Sequence, residues 1–299
     1  KGTGISAPIS GSEEFFFAGQ RRAVKHPLTG EEVAAKPLFG EAAVPEDEPD
    51  PRNVLADWVT SDDNPFFRQV ISNRVWFDMM GRGLVEPVDD LRASNPPSNP
   101  ELLDALAKDF VEHKFDVRHI IRTLVSSRVY QLSSVPTEHN KDDRQNFARF
   151  YARRLIAEVL LDAVDQTTGT KTRFGNIADS ARAVDLPHEG FGSYFLDTFD
   201  RPKRVSGCEC ERSSGATLAQ VLLLANSDEL ENKLADGNGR IAKLVATDKP
   251  ISEVMDELYL SVFARLPNER ERDTTVKYVE SQENKRQAVE DVLWTILNS

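Results

Sequence analysis

The sequence lacks long apolar runs and a surplus of basic residues. Val221–Ala225 and Phe15–Ala18 are among its longest apolar runs, far short of the roughly 18 residues that a membrane-spanning helix needs. The formal net charge is −12, and residues 41–63 hold eight acidic residues against one basic residue, which is −7 of that total. The rest of the chain is close to neutral. We therefore expect no membrane span and no nucleic-acid or anionic-membrane partner.

Several motifs that would identify a reaction are also missing. The sequence contains no Gly-x-Ser-x-Gly nucleophile elbow and no Gly-rich phosphate loop. It has no Cys-x-x-Cys-His motif, so we expect no covalent haem in this segment, although a metal ion remains possible. The histidines show no i, i+4 pair of the kind that binds metal on a helix; they are His26, His113, His119, His139 and His188.

Residues 1–51 are predicted to form an extended leader, a hairpin or arm, and an acidic linker. Residues 1–12 are rich in Gly, Ser and Pro, which favours an extended leader. In "HPLTGEE", Pro27 and Gly30 punctuate a turn between two short extended runs. The stretch "GEAAVPEDEPDP" combines three prolines with five acids, a composition typical of a linker.

Residues 52–299 are predicted to form a mainly α-helical, multi-helix domain with a single core. Asn64–Pro65 and Asn99–Pro100 each place a capping side chain before a proline at the first helical position. Apolar residues three and four apart predict further helices, at Arg153–Thr168, Thr217–Ala235, Ile251–Arg265, Glu269–Glu283 and Gln287–Leu297. The residues expected to be buried together are Phe66, Val70, Trp76, Leu103, Leu106, Ile121 and Leu160. Periodicity fails over residues 169–215, a segment that is either functional or holds short strands.

Two groups of charged residues are candidate sites. Glu86, Asp89, Asp90 and Arg92 lie close together in the loop that follows the first long helix, and such carboxylates can bind a hard cation or act as an acid/base pair. The alternative is that these acids cap helices and pair with neighbouring arginines. Arg153 and Arg154 are candidates for binding an anion, and the alternative is the solvated surface that such a charged stripe usually forms.

Six motifs in order resemble one family. They are "NPFFRQVISNRVW", "GRGLVEPVDDLRASNPPSNPELLDALA", "YQLSS", "ARRLIAEVLLDAV", "CECER" and "LYLSVFARLPNERE". The chain is similar over residues 20–299 to the planctomycete-type domain of unknown function 1553 (DUF1553). That family forms the C-terminal region of large exported proteins that often carry a cytochrome c module upstream. The chain begins at Lys1 without a secretory pattern and ends within a predicted helix, so we expect a piece of a longer protein.

The resemblance implies an extracytoplasmic location and no particular reaction. We expect a structural or docking domain of an exported, redox-associated multidomain protein, with the upstream domains of the same chain, such as a cytochrome c module, as partners. The alternative is an enzyme, for example a metal-dependent one acting on saccharides, that uses the loop carboxylates together with the Cys-Glu-Cys motif. The link to saccharides is only an association of such family members with polysaccharide-processing genes.

Cys208 and Cys210 are the only cysteines of the chain and lie in the stretch "GCECERSSG". In the oxidising compartment that the resemblance implies, lone thiols seldom stay reduced, so we expect these two to be bonded to each other. A turn at Glu209, eased by Gly207, would bring their Cα atoms within disulfide range. A strained small ring is easily reduced, which is compatible with a redox role. A thiolate metal site and a pair of unreactive thiols are the alternatives.

Overall fold

The structure of the chain is a computed structural model, which describes residues 23–39, 44–45, 48, 50–62, 64–175, 177–202 and 217–299. These residues are mainly α-helical, with one short two-stranded sheet. The predicted mainly α-helical fold class is confirmed, whereas the buried apolar residues among those described form three clusters and not the single core that was expected. No helix in this part of the chain is both long and apolar enough to cross a bilayer. The predicted leader, 1–12, and the Cys-Glu-Cys motif lie outside the described residues.

The hairpin predicted around Pro27 and Gly30 is present. Strand β1, Ala23–Lys25, pairs antiparallel with β2, Glu32–Ala34. Gly30 has a φ of +72° and donates its backbone N–H to the carbonyl of His26 at 2.9 Å. This left-handed conformation is one that glycine adopts without steric cost. The loop residues therefore determine the position of the turn.

The chain divides into two compact units. The N-terminal unit, Glu13–Arg153, contains α1 (Pro51–Thr60), α2 (Pro65–Met80), α3 (Pro100–Glu112) and α4 (Val117–Val125). The side chains of Asn64 and Asn99 accept the backbone N–H groups of Phe66 at 3.1 Å and Leu102 at 2.9 Å. Both Asn-Pro helix starts are confirmed, because these caps satisfy N–H groups that have no partner inside the helix.

The core of the N-terminal unit lies where α3 and α4 pack against α2. Trp76, Leu103 and Leu106 are buried together in it, as predicted. Phe66 was wrongly expected there: it is 48% exposed, and its ring lies 5.8 Å from that of Phe39. Val70 and Ile121 are half-buried, and the neighbouring Ile120 is the residue that is fully buried. Leu160 packs against a different apolar cluster from the one that contains Trp76.

The loop before Arg153 is organised around the carboxylate of Asp143. This carboxylate accepts the backbone N–H of Asn146 at 2.9 Å, the backbone N–H of Ala148 at 2.8 Å and the hydroxyl of Tyr151 at 2.9 Å. These donors, the N–H of Ala148 foremost, lower the pKa of Asp143 below its ordinary value near 3.8. Hydrogen bonds to the ionised form favour that form.

Asp143→Asn should therefore destabilise the protein at neutral pH, and the loss of stability relative to wild type should become smaller in acid. A lowered folded-state pKa means that the stabilisation by Asp143 is complete above the ordinary carboxyl pKa and is lost as the pH falls towards the folded value. The difference in urea midpoint between wild type and variant should be constant above about pH 5 and shrink steadily below about pH 4. The exposed neighbour Asp142 provides the control, Asp142→Asn. A pH-independent difference would contradict this assignment.

The C-terminal unit contains Arg154–Ser299. Its helices are α5 (Ala157–Thr168), α6 (Tyr194–Thr198), α7 (Leu218–Asn226), α8 (Asp228–Leu234), α9 (Arg240–Val245), α10 (Ile251–Phe263), α11 (Glu269–Ser281) and α12 (Lys285–Leu297). One apolar cluster joins α5 to α8–α12, and a second joins the start of α5 to α6, α7 and Phe174. Helix α5 contributes to both clusters and is the central element of the unit.

Two features of this unit differ from the sequence-based expectation. The helix predicted over Thr217–Ala235 is broken at Ser227, because the Ser227 hydroxyl accepts the backbone N–H of Leu230 at 3.2 Å and starts α8. The described part of the irregular segment, residues 169–175 and 177–202, contains the 3₁₀ turn Ala183–Asp185 and α6 but no strand.

Candidate functional site

The loop that carries the candidate carboxylates is held onto α2 by Asn73. The Asn73 side chain is fully buried, donates to the carbonyls of Val85 at 2.9 Å and Val88 at 2.8 Å, and accepts the N–H of Leu84 at 2.8 Å and that of Val85 at 3.1 Å. All four hydrogen-bonding positions of the amide are used. A Cβ on Gly83 would lie 2.2 Å from the Val85 carbonyl oxygen, so this close approach requires glycine.

The candidate acids each contact a different partner. Glu86 accepts the N–H of Gly83 at 2.9 Å. Asp89 forms a two-bond ion pair with Arg74, at 2.6 and 2.7 Å. Glu86 and Asp89 are thus near one another along the chain, but each is hydrogen-bonded to a different group.

The last carboxylate of this group pairs with the candidate arginine. Arg92 donates to both oxygens of Asp90 at 2.6 Å. The hydrogen bond from Arg92 is the main reason why the pKa of Asp90 is lowered. In this arrangement the carboxylates close a loop, and Arg74 on α2 is the partner that sequence spacing did not reveal.

The candidate anion-binding arginines have intramolecular contacts. Arg153 ends the N-terminal unit, and its guanidinium lies 3.4 Å from the carbonyl of Phe77. Arg154 begins the C-terminal unit and donates to the side-chain oxygen of Gln220 on α7. The proposed cysteine site, Cys208 and Cys210, lies outside the described residues.

A cleft of about 170 Å³ lies in the C-terminal unit. Its polar lining residues are Glu158, His188, Glu189 and Arg201. The Arg201 guanidinium is held by the carbonyl of Phe191 at 2.8 Å and the carboxylate of Asp197 at 2.7 Å. His188 Nδ1 accepts the N–H of Gly190 at 3.1 Å, so a neutral His188 carries its proton on Nε2 and can donate it to a ligand. Sequence analysis missed this group because its members lie on separate segments.

A second cluster that sequence analysis missed is formed by Asp109, His113 and His119 in the N-terminal unit. His113 Nδ1 lies 3.2 Å from one carboxylate oxygen of Asp109, and His119 Nε2 lies 2.9 Å from the other. The two imidazole rings are stacked, with centroids 3.5 Å apart and planes inclined by 10°. The i, i+4 spacing of Asp109 and His113 was visible in the sequence, but a search for histidine pairs alone does not find it.

Fold and site together define a two-unit, mainly helical protein with small polar clusters. Comparison with protein families then identifies the chain: residues 51–279 match the family described as "PSD1: Protein of unknown function (DUF1553)". The match covers most of the chain, which therefore belongs to this family. The family recognised from its motifs is confirmed. Comparisons with curated proteins and with solved structures found no match.

Proposed function

We propose that this chain is a structural or docking domain of an exported, redox-associated multidomain protein. The observation that carries the proposal is an apolar face on α7. Leu218, Val221 and Leu222 lie three and four residues apart and are 74%, 57% and 50% exposed, so they occupy one side of the helix. Contiguous exposed apolar side chains are typical of interaction surfaces.

Contacts within the C-terminal unit fix the orientation of this apolar face. Gln220, on the opposite side of α7, is buried and donates to the carbonyl of Thr198 and to the carboxylate of Asp200, both at 3.0 Å. The Gln220 oxygen accepts from Arg154 and from the N–H of Thr217. Buried and fully bonded, Gln220 fixes which side of α7 points outward. In this proposal Arg154 helps to position α7 through Gln220, and its candidate role in binding an anion stays a prediction.

The partner that we propose is an upstream part of the same parent chain, with a cytochrome c module as the redox component. The family's motifs imply such a parent chain and an extracytoplasmic location. A solvated surface helix normally keeps apolar residues on its protein-facing side. Helix α7 has such a side, with Leu223 and Leu224 in the apolar cluster, and it has the exposed apolar face in addition. A helix that is apolar all round is normally buried, which supports a surface that is covered in the whole protein.

The proposal predicts that α7 variants lose binding to the upstream part of the parent protein supplied in trans. We expect Val221→Ser combined with Leu222→Ser to weaken the affinity at least tenfold in calorimetric titration, because each buried aliphatic side chain contributes about 1.5–3 kcal/mol and 1.4 kcal/mol is tenfold. Leu266→Ser, at a leucine of the same unit that is 53% exposed, is the matched control. Unchanged affinity of the α7 variant, or no binding by wild type, would refute the docking role.

An enzyme acting on saccharides is the second candidate, and the cleft is the observation in its favour. Glu158 and Glu189 supply two carboxylates, the set used by most glycosidases. The volume counts against this candidate, since about 170 Å³ is below the roughly 300–1,000 Å³ of ordinary ligand pockets. Hydrolysis of a polysaccharide by wild type but not by Glu158→Gln or Glu189→Gln would support the enzyme instead.

A further inference from the structure

We propose that Asp109, His113 and His119 form a binding site for a borderline divalent metal ion of the Zn²⁺ type. Two imidazoles and one carboxylate are the nitrogen and oxygen ligands that such ions take in three-ligand protein sites. One ligand atom from each residue lies within 4.8 Å of the other two. This site is separate from the surface on α7 and from the Cys-Glu-Cys motif.

The distances from the two histidine nitrogens to Asp109 are close to those between ligands of one metal ion. A tetrahedral ion with bonds of about 2.0–2.1 Å has its ligand atoms about 3.4 Å apart. The nitrogen of His113 lies 3.2 Å, and that of His119 2.9 Å, from the nearest oxygen of Asp109. His113 Nδ1 is also 2.9 Å from the backbone carbonyl of Asp109. A metal ion would displace the proton that Nδ1 shares with these oxygens. Because the lone pair of an imidazole nitrogen lies in the ring plane, the two stacked rings would also have to rotate out of their parallel arrangement to direct both nitrogens at one ion.

The chain holds the two histidines together by a tight connection. His113 follows the end of α3, and the next two residues, Lys114 and Phe115, have φ values of +55° and +60°. Non-glycine residues adopt this region only where the surroundings hold them. Here the ring of Phe115 packs edge-on against Phe110 at 5.3 Å. The connection thus places His119, in the first turn of α4, over His113.

A capping role alone does not account for this arrangement. A histidine at a helix C-terminus is stabilised by the last carbonyls, which explains His113 but not the stacking of His119 upon it. The side chains of His113, His119 and Asp109 are 45%, 26% and 33% exposed. Water can therefore reach the site and provide the remaining ligand, as in metal sites with an open position.

The test is titration of the metal-free chain with Zn²⁺, followed by calorimetry and by equilibrium dialysis with elemental analysis. We expect one equivalent of Zn²⁺ to bind with a dissociation constant in the micromolar range or below. His113→Ala, His119→Ala and Asp109→Asn should each weaken binding at least tenfold. His139→Ala and Asp104→Asn are the matched controls, since His139 is exposed in the same unit and Asp104 lies on α3 paired with Lys108.

Two further measurements distinguish binding at this site from binding elsewhere on the chain. Zn²⁺ should raise the melting temperature of wild type by several degrees and leave that of His113→Ala unchanged, because a ligand that binds only the folded state stabilises it. His113 is the most exposed of the three ligands, so this variant is the one least expected to misfold. Cys208→Ser combined with Cys210→Ser should bind Zn²⁺ as wild type does. Absent binding in wild type, undiminished binding in both histidine variants, or loss in the cysteine variant would overturn the site.

Discussion

Replacing Asn73 by alanine should cost about 4 kcal/mol of unfolding free energy, since four buried backbone groups then lose their partner and each costs about 1–3 kcal/mol before relaxation. Those groups are the N–H of Leu84, both polar groups of Val85 and the carbonyl of Val88. Leu84 and Val85 are themselves buried, so water cannot replace the amide without opening the loop. The measurement is urea unfolding followed by circular dichroism.

The matched control for this prediction is Asn95→Ala in the same loop. Asn95 donates to the carbonyl of Asp90 at 2.9 Å and to that of Glu86 at 3.3 Å, but it is only half-buried. Water can satisfy those carbonyls, so this control should cost about 1 kcal/mol or less. Equal losses for the two variants would mean that Asn73 does not anchor the loop.

The second large effect is expected for Lys233→Met on α8. The Lys233 ammonium contacts the carboxylate of Asp165 and donates to the Thr172 hydroxyl at 2.8 Å, and the Lys233 and Asp165 side chains are only 10% and 16% exposed. Removing one partner of a buried ion pair leaves an uncompensated charge and typically costs about 3–5 kcal/mol. We expect a loss of about 3 kcal/mol in urea unfolding.

Two comparisons isolate the effect of burial at Lys233. Lys108→Met breaks the exposed pair with Asp104 and should cost below about 1 kcal/mol. Adding Asp165→Asn to Lys233→Met should recover part of the loss, because the unpaired charge is then removed. If Lys233→Met costs no more than Lys108→Met, the pair is not effectively buried. Burial raises the pKa of the neighbouring Glu229 and the Lys233 charge opposes that shift, so the variant should raise this pKa further.

Local chemistry explains which parts of the fold were predictable. Asn64 and Asn99 are followed by proline, and Gly30 lies within a turn sequence; each acts on its immediate neighbours and can be read from a few residues. Ser227 is the instructive failure, because a serine inside an apolar helical pattern can point to solvent or cap a new helix. Packing in the C-terminal unit decides between these outcomes, and packing is not a local property.

The candidate site was less predictable because its contacts cross between elements. Asp89 pairs with Arg74, 15 residues away, and nothing in the sequence around either residue indicates that the two are partners. Asp109 and His113 share one helix, but His119 reaches them only through Lys114 and Phe115 in a conformation that sequence normally reserves for glycine. The exposed face of α7 could not be distinguished in the sequence from a buried one, since apolar spacing predicts a helix and does not say what covers each side.

The most direct test of the docking role is hydroxyl-radical footprinting of the leucines on α7. Labelling of Leu218 and Leu222 is compared between this chain alone and the longer parent protein that the proposal implies, with Leu266, which is exposed in this chain, as the reference. A covered surface should be labelled several-fold less in the parent protein, because the radical reaches only side chains in contact with water. Equal labelling of Leu218 and Leu222 in the two proteins would contradict the proposal that α7 is a docking surface.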